Sequence, residues 1–436
     1  MARNHMNTRY LMLAAATSAA LMATACGNGP ELIDRTQPNY VKKSELTQGT
    51  WYIQESVVDV PPTSPLTFVG YQTRMDKVRF EIQEDHLVAY RSYEYFPGAD
   101  PSVDRKNSTI GKVVTLDGRP YRGAPVGAWK IQGHFDRIRS YNPATGEQSN
   151  VLEENTKDRP WYERDFMRVD WGSNQLSNFN SLTSDNAETY INPFVQPVEE
   201  GAGDDAFYTA YEEKNGEKEL VYFDFTARQF WSPPTYDYPG YGQIPFCWLD
   251  PVADCQGAVI KVRTSVRKVD EAHVADYEPL VYDDHMRKKF GYFRAGTSME
   301  IPTYDPDRGP TLTGRLMYAM RHNIWERSRD ANGNSIPVEQ RQPKPIVYHL
   351  SDNYPADMMA SARDIEASWD RAFRKAVAVP RGLEIEEVPQ MFFLCQNPVP
   401  AGAPAACGPE GTHVRMGDIR YHMFNWVDLP QMAGPL

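Results

Sequence analysis

The chain has 436 residues, 41% of them hydrophobic and 12% aromatic, with 46 basic against 58 acidic side chains and a net charge of −12. The near-normal apolar share excludes a disordered chain, and the interspersed acidic excess excludes nucleic acid as a partner. The length predicts two or three domains in a polar, tyrosine-rich protein.

Residues 1–25 have the three parts of a secretory signal: Arg3 and Arg9 with no acidic residue, an apolar stretch from Leu11 to Ala23, and small residues at its end. That stretch is too short and too alanine-rich for a membrane span, which needs about 20 strongly apolar residues. Leu21-Met22-Ala23-Thr24-Ala25-Cys26-Gly27 looks like a lipobox, with Ala23 where such motifs usually carry leucine. It makes Cys26 the expected site of lipidation, residues 26–39 a lipid-anchored tether, and the membrane a partner through the N-terminal lipid. Gly27, standing where an aspartate would favour inner-membrane retention, points to the outer membrane or cell surface.

Residues 40–290 read as an antiparallel β-rich domain. Trp51 to Val60 is β-branched and aromatic, and stops at Pro61-Pro62. Val78–Gln83 alternates with period two, and Glu84-Asp85-His86 turns into Leu87–Phe96 as a hairpin. Further strands are predicted at Ala128–Tyr141, Asp165–Trp171, Glu219–Trp231 and Ala258–Val269. No 10-residue amphipathic helix competes, and neither a repeat nor a low-complexity run interrupts.

Residues 291–342 read as a connector. Gly309–Ser328 is ambiguous between strand and helix, and Asp330-Ala331-Asn332-Gly333-Asn334 is a turn. From residue 343 the character changes to strand, long helix, strands. Pro343-Lys344-Pro345 launches a strand at Ile346–Leu350, and Ser351-Asp352-Asn353 with Pro355 predicts a helix start and a body reaching Val377. Ala362, Ile365, Trp369, Ala372, Phe373 and Ala376 form its expected apolar stripe. Val388–Cys395 reads as a buried strand and Asp418–Val427 as a last one.

With Cys26 assigned to lipid, Cys247, Cys255, Cys395 and Cys407 remain, as two close pairs in a compartment that permits disulfides. The expected pairing is Cys247–Cys255 and Cys395–Cys407. A four-cysteine zinc site is the rival, and neither spacing suits one.

Three segments together, Pro345-Ile346-Val347-Tyr348-His349-Leu350, Ala360–Lys375 around Trp369-Asp370-Arg371-Ala372-Phe373, and Gly417-Asp418-Ile419-Arg420-Tyr421 with Phe424-Asn425-Trp426-Val427, resemble the first half of the catalytic domain of bacterial, myxobacterial-type lipoprotein zinc-dependent metalloproteases of the zincin class. The upstream LIDRTQPNYVKKSEL, ENTKDRPWYERDFMRVDW and KKFGYFR resemble the non-catalytic N-terminal region of the same lipoproteins. The resemblance implies an α+β chain: the β-rich domain, then an incomplete zincin-like α/β subdomain over residues 343–436. Protein or peptide ligands are the other partners expected.

Zincin chemistry needs His-Glu-x-x-His, two zinc-binding histidines one helical turn apart with a glutamate as general base between them. None of the nine histidines is followed by Glu and no two lie four apart. In the family the edge segment and zinc helix come downstream of the point where this sequence stops. The chain is therefore expected to carry no catalytic residue, metal ligand or cofactor, zinc being expected only with further downstream sequence. His413 with His422, Asp283-Asp284-His285, and Asp305-Pro306-Asp307 are alternative ligand groups, each read more simply as structural or solvated. Trp231–Tyr241 offers aromatic rings that could stack on sugars, or anchor a loop. Two readings follow: the N-terminal portion of a lipid-anchored metalloprotease, inactive as given, or a complete non-catalytic envelope lipoprotein with a binding or structural β domain.

Overall fold

The structure is a computed structural model. It describes residues 31–427 except 38–39, 62–67, 93–114, 117–118, 121, 177–190, 193–206, 215, 232–234, 246–247, 249–254, 256–257, 278–279, 281, 283, 296–303, 306–308 and 311–317. Cys26, the expected signal and half of the expected tether lie outside the described residues, as does Cys247.

The described residues are mostly β. In chain order the main elements are β1 (Ile33–Asp34), β2 (Tyr40–Lys42), α1 (Lys43–Thr47), β3 (Trp51–Asp59), β4 (Asp76–Ile82), β5 (His86–Arg91), β6 (Pro125–Tyr141), β7 (Gln148–Asn155) and β8 (Phe166–Asn174). There follow β9 (Tyr208–Lys214), β10 (Glu217–Trp231), β11 (Thr235–Tyr238), β12 (Gly242–Pro245), β13 (Ala258–Lys268), α2 (Glu271–Asp276), α3 (Asp284–Phe290), β14 (Ile346–Leu350), α4 (Met359–Arg381), β15 (Phe392–Cys395) and β16 (His422–Phe424). No helix among the described residues is long and apolar enough to cross a membrane. The chain divides into two compact units, one made of Met1–Lys42 and Gly133–Arg168, the other of Lys43–Gln132 and Val169–Leu436.

In the smaller unit β1 runs parallel to β7, β7 antiparallel to the end of β6, and β2 antiparallel to the start of β8. Phe135 stacks on Phe166, and Tyr40 meets both rings edge-on. Arg168 lies over the Phe135 ring at 4.9 Å and pairs with Glu154 at 2.5 Å. These are aromatic and cation–π contacts, and they close a core too small to rest on aliphatic burial alone.

In the larger unit an antiparallel path runs β6–β5–β4–β3–β13–β10–β9. Alternation along β3, β4, β6, β8 and β10 puts Trp51, Phe80, Trp129, Trp171, Phe223 and Phe225 on one face. There Trp171 stacks on Phe225 at 4.8 Å and Trp51 meets Phe223 edge-on at 5.8 Å. Each such pair contributes about 1 kcal/mol beyond its buried area. Strands β10 and β13 are buried on both faces, so their burial pattern is continuous rather than alternating.

The C-terminal part of this unit is a parallel sheet in the order β15–β14–β16. Ile346, Leu350, Phe392 and Leu394 pack beneath α4, and Phe393 and Cys395 pack beneath the loop closed by the Cys395–Cys407 disulfide. Three local expectations shift here. Helix α4 starts at Met359, after a tight turn at Ala356–Met358, because Ser351 and Asn353 bind the backbone of Trp426 in place of capping the helix. The helix turns inward Ala362, Phe373 and Val377, while Trp369 is 52% exposed and Ala372 and Ala376 face solvent. That rotation lets the Glu366 carboxylate accept the Leu394 amide at 3.0 Å and Asp370 accept those of Met391 and Phe392 at 2.6 and 3.2 Å. Finally, only His422–Phe424 of the expected last strand is strand, since the residues before it turn away to dock on β10 and β13.

Candidate functional site

Tyr222 and Asp224 on β10, with Arg263 and Ser265 on β13, alternate with the core aromatics and so share the opposite face of the sheet. All four are buried, because Arg415–Tyr421 lies across them. Arg263 donates to the Met416 carbonyl at 2.6 Å and Ser265 to that of Gly417 at 2.6 Å. Gly417 has φ +81°, and a Cβ there would come 2.6 Å from the Cβ of Ser56, so the backbone lies flush on β3. Only glycine allows that approach.

Charge fills the rest of the interface. Asp224 is fully buried between Arg415 and Arg263 and accepts the Tyr222 hydroxyl at 2.8 Å. Burial pushes its carboxyl up, and the two guanidinium groups pull the other way. Burial, with Asp224 and Asp418 nearby, also lifts the Tyr222 phenol above its ordinary range. Arg420 pairs with Asp418 at 2.6 Å and lies 4.3 Å over the Tyr222 ring and 5.0 Å over Tyr208. Burial opposes the Arg420 charge, and Asp418 overrides it, leaving the guanidinium above its usual value. On the core face of β3, Glu55 accepts Thr264 at 3.2 Å, and burial pushes its carboxyl up to about 8.

Arginine, carboxylate and phenol in this arrangement face one another, with Asp224 Oδ1 met by Arg263 as an ion pair at 3.5 Å and by no hydrogen bond, and what the cluster can do is hold a segment in place. It fixes Gly417-Asp418-Ile419-Arg420-Tyr421, and with it the entry to β16. Sequence reasoning singled out that segment and missed its seat. It predicts the strands Glu219–Trp231 and Ala258–Val269 without any role for Tyr222, Asp224, Arg263 or Ser265. The available signal was the pair of lone charges inside apolar runs, Phe223-Asp224-Phe225 and Val262-Arg263-Thr264-Ser265-Val266.

Other singled-out residues meet locally. In the smaller unit the LIDRTQPNYVKKSEL and ENTKDRPWYERDFMRVDW segments bind each other: Gln37 donates its amide to Glu154 at 2.8 Å, and Arg168 reaches both Glu154 and the Gln37 carbonyl. Cys395 and Cys407 form the expected disulfide. Cys255 is disulfide-bonded as well. His349 is buried, with Nε2 3.0 Å from the Cys407 carbonyl and Nδ1 without a hydrogen-bond partner. His413 lies 3.5 Å from Asp352, and His422 tilts over Tyr348 at 5.1 Å. Asp330 uses both carboxylate oxygens on its own turn, bonding the Asn332 and Asn334 amides and the Asn334 side chain.

Zinc, which the resemblance implies, does not fit the residues described. The sequence lacks His-Glu-x-x-His, and among the described residues no group of three or more His, Cys, Asp or Glu side chains is placed to hold a metal ion. No family model matches the chain, and searches of curated proteins and of solved structures return no match.

Proposed function

We propose that this is an envelope-anchored lipoprotein related to the zincin-type zinc-dependent metalloproteases, in which residues 343–427 supply a strand–helix–strand scaffold and the chain itself holds no zinc. One observation carries the reading: the two edges of the β15–β14–β16 sheet are treated differently. Along the outer edge of β15, Glu366 and Asp370 take the amides of Leu394 and Phe392, while Arg363 and Gln390 donate to their carbonyls at 2.8 and 2.9 Å. Along β16 no further strand pairs among the described residues. Covering the β15 edge leaves the β16 side for any extension of the sheet. In the resembled proteases the edge segment and the zinc helix lie beyond that strand. The Arg415–Tyr421 seat supports the same reading, since it gives the β-rich region a positioning role for β16.

The test is the nucleotide sequence that follows the codon for Leu436. A His-Glu-x-x-His motif encoded there in any frame supports the protease relation, and its absence from all frames removes it for this gene. That absence would select the alternative, a non-catalytic envelope lipoprotein whose β-rich region is a binding or structural module. On the chain as given, zinc analysis and peptide hydrolysis should both be negative, and one equivalent of bound zinc would overturn the proposal. Lipid on Cys26 is tested separately, by metabolic labelling with palmitate that Cys26→Ser should abolish.

A further inference from the structure

Five large hydrophobic side chains stand exposed around one knot of backbone: Leu280 at 44%, Phe290 at 54%, Tyr292 at 61%, Phe293 at 84% and Met320 at 61%. Single exposed hydrophobics are ordinary, but these are tied together. The Ala319 amide donates to the Leu280 carbonyl at 2.9 Å and the Met320 amide to that of Phe293 at 3.0 Å. The Tyr292 amide donates to the hydroxyl of buried Tyr282 at 2.9 Å, and the rings of Phe290 and Tyr292 stack 8° from parallel. Gly291, at φ +68°, makes the turn that presents them. A clustered exposed apolar surface of this kind marks a binding face.

The charges beside it choose the partner. Arg287, Lys288 and Lys289 fill the last turn of α3, and Arg321 follows Met320; all four are exposed cations on a chain of net charge −12. Aromatic side chains and methionine that project outward, bordered by Lys and Arg, match the boundary between headgroups and acyl chains. There the rings sit at interfacial depth and the cations meet lipid phosphates. Phe293, more than four-fifths exposed, projects from the surface, which suits insertion into a fluid interface better than packing on a folded partner.

We propose that Leu280, Phe290–Phe293 and Met320, with their flanking cations, form a second membrane contact that dips into an anionic bilayer surface and orients the protein on it. The contact does not rest on the metalloprotease relation or on the lipid at Cys26, and either can fail without it. The test uses the full chain carrying Cys26→Ser, co-sedimented with vesicles of equal parts phosphatidylethanolamine and phosphatidylglycerol, or of phosphatidylcholine alone. The N-terminus is common to all variants, so differences between them report the patch. The Phe290→Ser/Phe293→Ser chain should lose more than about tenfold in binding to the anionic vesicles. Lys288→Ala and Lys289→Ala should each lose about fivefold, and less at high salt. Amide exchange over residues 284–293 should slow when anionic vesicles are added to the parent. Far-ultraviolet dichroism and an unchanged melting temperature would show that the variants fold. Equal sedimentation of parent and phenylalanine variants would overturn the proposal. So would equal binding to both vesicle types, or capture of polyglutamate that depends on the lysines and not on the phenylalanines, which marks an acidic-protein site.

Discussion

Gly417 lies against Ser56 so closely that a Cβ on Gly417 would sit 2.6 Å from the Ser56 Cβ and 2.9 Å from its hydroxyl. Alanine at 417 must therefore push the segment off β3, and it must also hold φ +81°, which L-residues resist. Gly417→Ala should cost about 3 kcal/mol in urea unfolding and increase protease cleavage after residue 343. Adding Ser56→Gly should recover only part of that cost, because it relieves the contact and leaves the backbone strain. Full recovery would mean that φ contributes nothing.

Asp224 and Arg415 are 191 positions apart and meet inside this interface, with Arg263 on the other carboxylate oxygen. Removing one partner of a buried pair costs more than the pair contributes, because the other charge is left unmatched. Asp224→Asn removes the buried negative charge that two guanidinium groups share and should cost roughly 3–5 kcal/mol, whereas Arg415→Met leaves Asp224 with Arg263 and Tyr222 and should cost less. A double-mutant cycle should give a coupling above about 1 kcal/mol. Additive effects would remove the ion pair from the account of this interface.

What was legible in the sequence, and what was not, divides at this interface. Trp51–Asp59, Ala258–Lys268 and Ile346–Leu350 emerge within a residue or two of where alternation and flanking turn residues place them, since strand periodicity is a local signal. The burial of Tyr222, Asp224 and Arg263 depends on a segment about 150 to 190 positions later, and no local pattern encodes it. The stripe on α4 failed for a related reason. Apolar spacing points Trp369, Ala372 and Ala376 inward, but the amides of Met391, Phe392 and Leu394 are satisfied only when Glu366 and Asp370 turn toward them. Satisfying backbone hydrogen bonds outweighed matching the stripe.

The Cys395–Cys407 disulfide closes a loop with a sequence separation of 12 that covers one face of the parallel sheet and supplies the carbonyl facing His349. Reduction should cost about 3 kcal/mol by loop entropy and expose residues 396–406 to proteases before the β-rich strands are attacked. Uniform sensitivity along the chain after reduction would show that the bridge stabilises the whole unit instead.

Glu55 gives a pH dependence whose sign is fixed. Its carboxyl is pushed to about 8 by burial, from 4.5 when exposed, so folding favours the protonated form. The contribution is fully present below pH 4.5 and is lost as pH rises through about 8, a change of roughly 5 kcal/mol at most. Carboxylates held low by basic partners, such as Glu219 beside Lys268, act with the opposite sign and only as pH falls through their own lowered values. The two windows are therefore separable. Stability measured by urea from pH 5 to 9 should fall less steeply for Glu55→Gln than for the parent. Parallel curves would place a different group in control.

Glu366 and Asp370 protect an edge that would otherwise offer unpaired amides to another chain. Removing each carboxylate leaves one or two backbone N–H groups of β15 unmatched, at about 1–2 kcal/mol apiece. Glu366→Ala/Asp370→Ala should therefore lower the urea midpoint and also make the protein associate in a concentration-dependent way, seen by sedimentation velocity. Arg363→Ala removes a donor to the Leu394 carbonyl and leaves the amides covered, so it should destabilise less and not promote association. The carboxylate pair matters more than the arginine because an uncovered row of N–H groups recruits a neighbouring strand, whereas a lone carbonyl is readily hydrated. If the double variant stays monomeric at every concentration, the helix is not what guards β15, and the asymmetry between the sheet's two edges loses its physical basis.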